Sequence, residues 1–314
     1  TVGLDFGFNM DRLSGSIDVY RRETNDLLLQ TPPAAPSTIP FQFGNVDASV
    51  INQGIEFAIA YDFVQTEDTN FGMSFNIAYN DNEIQDFAGS INTGEINGPG
   101  LSGAFAQRFE AGNSLFSYYM AEFLGFDGEG NPTYRDVDGN GIGDPDSDKF
   151  FVGEDGLPDI TSGLSLTFRH KNWDASAFFN GQFGFSVYNN TANSFFNAGQ
   201  LTTARNVTQT VVDSGENGGA STAVSTRFLE KGDFVRFQNA TIGYNVPLSG
   251  DGAFKGLRFS LTGQNLALWT DYSGIDPEVT VATGTLGSGI PVRGIDWAAF
   301  PNPLTVTFGI NATF

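Results

Sequence analysis

The apolar residues of this chain recur with a period of two, and nothing else in it constrains the fold as tightly. Successive side chains point to opposite faces along a strand, whereas an amphipathic helix needs a period near 3.6. In the first segment Val2, Leu4, Phe6, Phe8 and Met10 alternate with Gly3, Asp5, Gly7 and Asn9. Leu13, Gly15, Ile17 and Val19 follow against Ser14, Ser16 and Asp18, then Ile55, Phe57, Ile59, Tyr61 and Phe63 against Glu56, Ala58, Ala60 and Asp62. The pattern returns over Phe71 to Tyr79, Leu164 to Phe168, Ala175 to Val187, Leu257 to Gln264 and Thr305 to Phe314. From Asp233 to Asn245 the parity changes: Val235 and Phe237 share one face while Ala240, Ile242 and Tyr244 share the other. That change predicts a bulge or a mixed face. The count is nine strands.

Their spacing gives them direction. Short connections, near Asn9 to Arg12, Val64 to Asn70, Arg169 to Trp173 and Val246 to Gly256, alternate strictly with long ones. The long ones run from Arg22 to Gln53, Asp81 to Ser162, Asn189 to Gly232 and Ala267 to Pro303. Membrane barrels keep this parity, with tight periplasmic turns and long extracellular loops, and a soluble sandwich has no reason to. If the long connections are outside, the ninth strand runs inward and ends at Phe314, an aromatic terminus like that of many outer-membrane barrels.

Alternation alone also fits a sandwich, so the content of the second face decides. It holds mainly Gly, Ser, Thr, Asn, Gln, Asp and Glu, with few Lys, as a wet lumen would. Backbone groups in hydrocarbon must all be paired, which requires a closed barrel. Nine strands do not close an even-stranded bacterial barrel. The expected fold is therefore all-β, an antiparallel transmembrane β-barrel of which residues 1–314 form the C-terminal portion, with earlier strands lying outside this sequence.

Composition removes several functions. Lys and Arg number 15 against 36 Asp and Glu, a net charge of −21 that offers no basic face to nucleic acid. There is no cysteine, hence no disulfide, thiolate metal site or cysteine nucleophile. No stretch reaches the ~18 to 20 apolar residues of a membrane helix, and Thr1 to Met10 lacks the basic start and apolar block of a secretory signal.

Local phrases punctuate the strands. Asp11-Arg12-Leu13-Ser14-Gly15-Ser16-Ile17-Asp18-Val19-Tyr20, continuing to Leu28, resembles the strand-and-exit segment of SusC/RagA-type TonB-dependent transporters. Asn52-Gln53-Gly54-Ile55-Glu56, the run from Phe234 to Pro247, and Gly263-Gln264-Asn265-Leu266 with Asp271 to Val279 are similar to further phrases of that family, in its order. The resemblance covers only the C-terminal part of the family's barrel, of about 22 strands. The plug, the TonB box and the earlier strands, which carry gating and energy coupling, lie outside it. It implies an outer-membrane importer of oligosaccharides or peptides, a SusD-like surface lipoprotein partner, coupling to the TonB complex through the plug, and no enzymatic activity. A passive porin, a structural or adhesion barrel, and a soluble carbohydrate-binding β-domain remain the competing readings.

One constellation has chemistry of its own. Asp136, Asp138 and Asn140 stand at positions 1, 3 and 5 of a loop with Gly141 at 6, as in the first half of a calcium loop. Ile142 would contribute its carbonyl, and Asp144, Asp146 or Asp148 could close the shell. Position 12 is Ser147 rather than Glu, a departure from the EF-hand, so a metal-free solvated acidic turn stays open beside the calcium reading. Eleven acids crowd between Glu122 and Asp159, which favours a counter-ion. No other cofactor is expected.

The lone His170 falls at a short turn, where a structural role is expected. Trp173, Trp269 and Trp297 suit an interfacial aromatic girdle, with sugar stacking confined to a minority in the Ala267 to Pro303 loop. Carboxylate pairs in mobile loops would offer no fixed separation for glycoside hydrolysis.

Overall fold

A computed structural model describes residues 1–10, 12–31, 36, 42–96, 98–99, 101, 103–220, 222–248, 254–279 and 292–314. Asp11 of the first turn and residues 280–291 of the last long connection lie outside the described residues. The nine expected strands form one antiparallel sheet in chain order. They are β1 (Val2–Phe8), β2 (Leu13–Thr24), β3 (Ser49–Gln65), β4 (Thr69–Gln85), β5 (Ile160–His170), β6 (Trp173–Phe183), β7 (Phe234–Asn245), β8 (Gly256–Thr270) and β9 (Thr305–Thr313). Among the described residues β1 and β9 are the edges of this sheet.

Register keeps like with like. Ile17 faces Phe57, Phe57 faces Ile77, and Leu164 lies between Phe75 and Phe179 on one side of the sheet. On the same side Phe179 stacks on Phe237 at 4.4 Å and 9°, and Trp173 meets Tyr244 at 4.6 Å, contacts worth about 0.5–1.5 kcal/mol beyond burial. The other side is polar: Tyr20 Oη donates to Asn80 Oδ1 at 2.7 Å, the Thr241 and Thr262 hydroxyls lie 3.0 Å apart, and Arg258 pairs with Asp174. Gly54 has a local reason here, because a Cβ would clash with the Tyr79 carbonyl oxygen and sit 2.8 Å from the Tyr20 hydroxyl that lies across it.

The expected bulge is present. Phe178 pairs with Asn239 and Phe179 with Phe237, so Gln238 is the extra residue and both parities of β7 reach the apolar face. A second shift lies opposite it in β8, where Phe237 pairs with Ala267 and Asn239 with Gln264. Asn265 takes the left-handed conformation there, φ 52°.

The alternation misplaces one strand end. It carries the sixth strand through Phe185 to Val187, whereas β6 stops at Phe183 because Gly184 turns the chain at φ 76°. Phe185 and Val187 are buried instead in a cluster with Phe234, Tyr272 and Val279.

The four short turns share one rim of the sheet and the four long connections share the other. Among the described residues, three of the long connections pack into one loop body. Residues 86–159 supply a four-stranded sheet in the order Phe150–Asp155, Ser117–Met120, Ala104–Glu110, Ser90–Ile96. Residues 184–233 supply α1 (Asn190–Phe195), α2 (Gln209–Asp213) and the strands Ser186–Asn189 and Leu229–Lys231. Ile295–Asp296, from 271–304, pairs in parallel with Ser186–Asn189. A single core of Ile96, Tyr118, Met120, Tyr188, Phe228 and Ile295 joins all three.

Candidate functional site

The carboxylate loop is built by backbone donors. Gly139 N donates to Asp136 Oδ1 at 2.7 Å and Gly141 N to Oδ2 at 2.8 Å, while Asn140 N donates to Asp138 Oδ1 at 2.9 Å. These bonds curl the chain so that Asp136, Asp138 and Asp148 each bring a carboxylate oxygen within 4.8 Å of the others. Of the three acids that could close the shell, the structure brings in Asp148. It is solvent-inaccessible and accepts from Val137 N and Asp144 N at 2.8 Å and from Asp138 N at 3.0 Å. Those bonds, Asp144 N first, hold its carboxyl below the ordinary range.

Asp144 is outside that convergence and accepts from Asp146 N at 2.9 Å, and Asp146, 93% exposed, pairs with Lys149. Asn140 Oδ1 accepts from Ile142 N at 2.8 Å. The Ile142 side chain is exposed. Three converging carboxylates offer oxygen donors, the ligand type of hard cations.

Two of the sequence phrases meet through an ion pair that sequence reading does not assign. Arg236, on the polar face at the loop-body end of β7, donates to Asp276 Oδ1 at 2.6 Å, with both side chains buried. Glu278 Oε2 stands 3.4 Å from the same guanidinium nitrogen. Asp276 also accepts from Glu278 N and from Asn302 Nδ2. The pair thus fastens the last long connection to the sheet. The available signal was a lone Arg at a polar-parity position of a strand, with an Asp-Pro-Glu run beyond the next one.

Tyr118 ties the connections together. Buried at the centre of the loop body, its hydroxyl lies 2.9 Å from Ser186 O and 2.5 Å from Gly294 O, so three connections converge on one phenol. Burial raises its pKa and keeps it a neutral donor. Nearby, burial pushes the Asp155 carboxyl up to about 6, although Leu157 N donates to it at 2.7 Å.

A cavity of about 570 Å³ opens beside α1 and α2. Ala192, Phe196, Val211, Phe228 and Ile275 give it an apolar wall, and Glu230 and Asp296 line it with carboxylates. Composition and periodicity gave no sign of it, because its wall comes from separate connections.

His170 stands at the short-turn rim, its Nδ1 2.7 Å from the Thr69 hydroxyl. Trp173 and Trp269 stand exposed near opposite rims, as a girdle requires. Trp297 departs from the girdle: it stacks on Phe195 at 5.6 Å within the loop body, leaving at most one ring face for a sugar.

Residues 1–266 match the family profile described as "TonB dependent receptor-like, beta-barrel". The chain is 30% identical over its whole length to TonB-dependent receptor P26 of Formosa agariphila, covering 34% of that protein. It is 29% identical to TonB-dependent receptor SusC of Bacteroides thetaiotaomicron, covering 31% of it. Among solved structures, the RagAB peptide importer in its "open-open" state superposes with a TM-score of 0.80 at 26% identity, over 99% of this chain and 34% of that one. The chain spans about a third of the length of these relatives.

Proposed function

Since the chain belongs to the TonB-dependent receptor-like β-barrel family, we propose that it forms part of the outer-membrane wall of an active nutrient importer. One observation carries this reading. The nine strands separate an apolar from a polar face while every long connection gathers at one rim, three of them in a packed body. In this reading the apolar face meets lipid, the polar face lines the passage, and the loop body lies outside the cell where nutrient arrives. The cargo is an oligosaccharide or a peptide. A SusD-like lipoprotein covers the loop body, and energy comes from the TonB complex acting on a plug outside this chain. Binding and passage require no bond cleavage, and no residue of this chain is given a catalytic role.

Uptake assays test the importer. Cells carrying the full-length receptor are expected to accumulate labelled oligosaccharide or peptide, and to lose that accumulation when either the receptor or TonB is deleted. Accumulation that persists without TonB would favour a passive pore and overturn the proposal.

A second reading concerns the carboxylate loop, favoured by the convergence of Asp136, Asp138 and Asp148. We propose that it holds calcium and so braces the acidic stretch of the loop body. Calorimetric titration of the purified receptor is expected to show a saturable heat. The double substitution Asp136→Ala, Asp138→Ala is expected to weaken binding beyond about 1 mM, outside the range of calcium-sensing loops. Equal heats for the two proteins, or none from either, would sink the calcium reading.

A further inference from the structure

The cavity beside α1 and α2 carries an electrostatic feature of its own. Its volume of about 570 Å³ lies within the roughly 300–1,000 Å³ of pockets that take small organic ligands. Ala192, Val211 and Phe228 are buried in its wall, while Phe196 and Ile275 stand at an accessible mouth, 39% and 68% exposed.

Glu230 and Asp296 border this wall, and the hydrogen bonds they accept all come from neutral donors. Glu230 accepts from Asn189 Nδ2 at 3.0 Å, Ser273 Oγ at 2.8 Å and Ser273 N at 2.7 Å. Asp296, only 6% exposed, accepts from Thr191 Oγ1 at 3.2 Å and Tyr272 Oη at 2.8 Å. Burial and the neighbouring Asp296 carboxylate push the Tyr272 phenol up, so it stays a neutral donor. Arg227 also lines the cavity, but both Glu216 oxygens hold its guanidinium, each at 2.8 Å, and Lys231 is paired with Glu154. Among the described residues neither carboxylate has an ion-pair partner. Two carboxylates without an ion-pair partner, set beside an apolar wall, are complementary to a ligand that brings a cation next to an apolar group.

From this arrangement we infer that the cavity receives the free amino terminus of a short peptide whose first side chain is apolar. The ammonium lies against Glu230 and Asp296, and the side chain lies on the wall of Val211, Ala192 and Phe228. An amino-terminal residue carries charge and apolar group on one carbon, which matches carboxylates set directly beside an apolar surface. A sugar, which needs an open ring face to stack on, fits the buried part of this wall less well, the one accessible phenyl ring being Phe196 at the mouth. Phe228 is 8% exposed and the Arg227 guanidinium lies 4.7 Å from its ring centre. The inference rests on the importer reading and narrows its cargo.

The test uses the full-length receptor in detergent micelles and calorimetry with Leu-Ala-Gly and its N-acetyl derivative. The free-amine peptide is expected to bind about tenfold tighter or more, and Glu230→Gln is expected to erase the difference. Ile275→Lys, at the exposed mouth, should weaken the free peptide about tenfold more than the acetylated one, since both lose the same apolar contact and only the free amine meets the new charge. Equal affinities for the two peptides overturn the inference. So does a receptor that imports oligosaccharide through TonB and binds neither peptide, although the importer reading then stands. Amine-dependent binding by a receptor whose uptake ignores TonB upholds the site and removes the importer.

Discussion

Replacing Arg236 with Met is expected to destabilise the attachment of the last long connection by about 3–5 kcal/mol, because Asp276 is left as a buried charge without its partner. The cost comes from the stranded carboxylate more than from the lost attraction. The double substitution Arg236→Met, Asp276→Leu is therefore expected to recover most of it, since apolar side chains replace a buried ion pair at little net cost. Glu278 is 41% exposed and stays solvated in either variant. Hydrogen exchange over residues 271–279 and 292–304 of the full-length receptor reads the effect. Unchanged protection in Arg236→Met, or a double variant as weakened as the single one, would show that the pair does not hold the connection down.

The second large effect concerns the two faces. Leu164 lies mid-strand on the apolar side between Phe75 and Phe179, and its neighbour Ser165 points to the polar side, paired with Ser74. With lipid against the apolar face, Leu164→Arg places a charge near the bilayer midplane at a cost of about 2–4 kcal/mol. Ser165→Arg reaches the wet side and is expected to cost far less. Denaturant midpoints for the receptor folded into phospholipid vesicles separate the two. Equal costs, or a reversed order, would mean that the faces are assigned the wrong way round.

Much of the sheet was legible because its rule is local. A residue's parity along a strand decides its face, so Val2 to Phe8 or Thr305 to Thr313 can be read without knowing what they pack against. Even the Gln238 bulge announced itself, as a change of parity between Phe237 and Ala240. Phe185 and Val187 were misread for the same reason. They continue the alternation of β6, yet a left-handed Gly184 sends them into another core, and parity carries no signal for that turn.

The carboxylate loop was legible in part. Spacing picked out Asp136 and Asp138, and it left Asp144, Asp146 and Asp148 as alternatives that only three-dimensional closure separates. The Arg236–Asp276 pair left only a weak trace, since it joins a strand to a connection that no period relates to it, and the apolar cavity left none, since its wall comes from two separate connections.

The hydroxyl of Tyr118, bonded to Ser186 O and Gly294 O, has a consequence for how this protein can change. Connections that share one interior cannot be grafted one at a time. Exchanging 86–159 alone for a stretch without the Tyr118 phenol would remove the donor that Ser186 O and Gly294 O share and put a foreign outline against the retained half of the core. Diversification in such a lineage is then expected to proceed by inheritance of the three connections as a block, with recombination breakpoints falling in the wall strands between them.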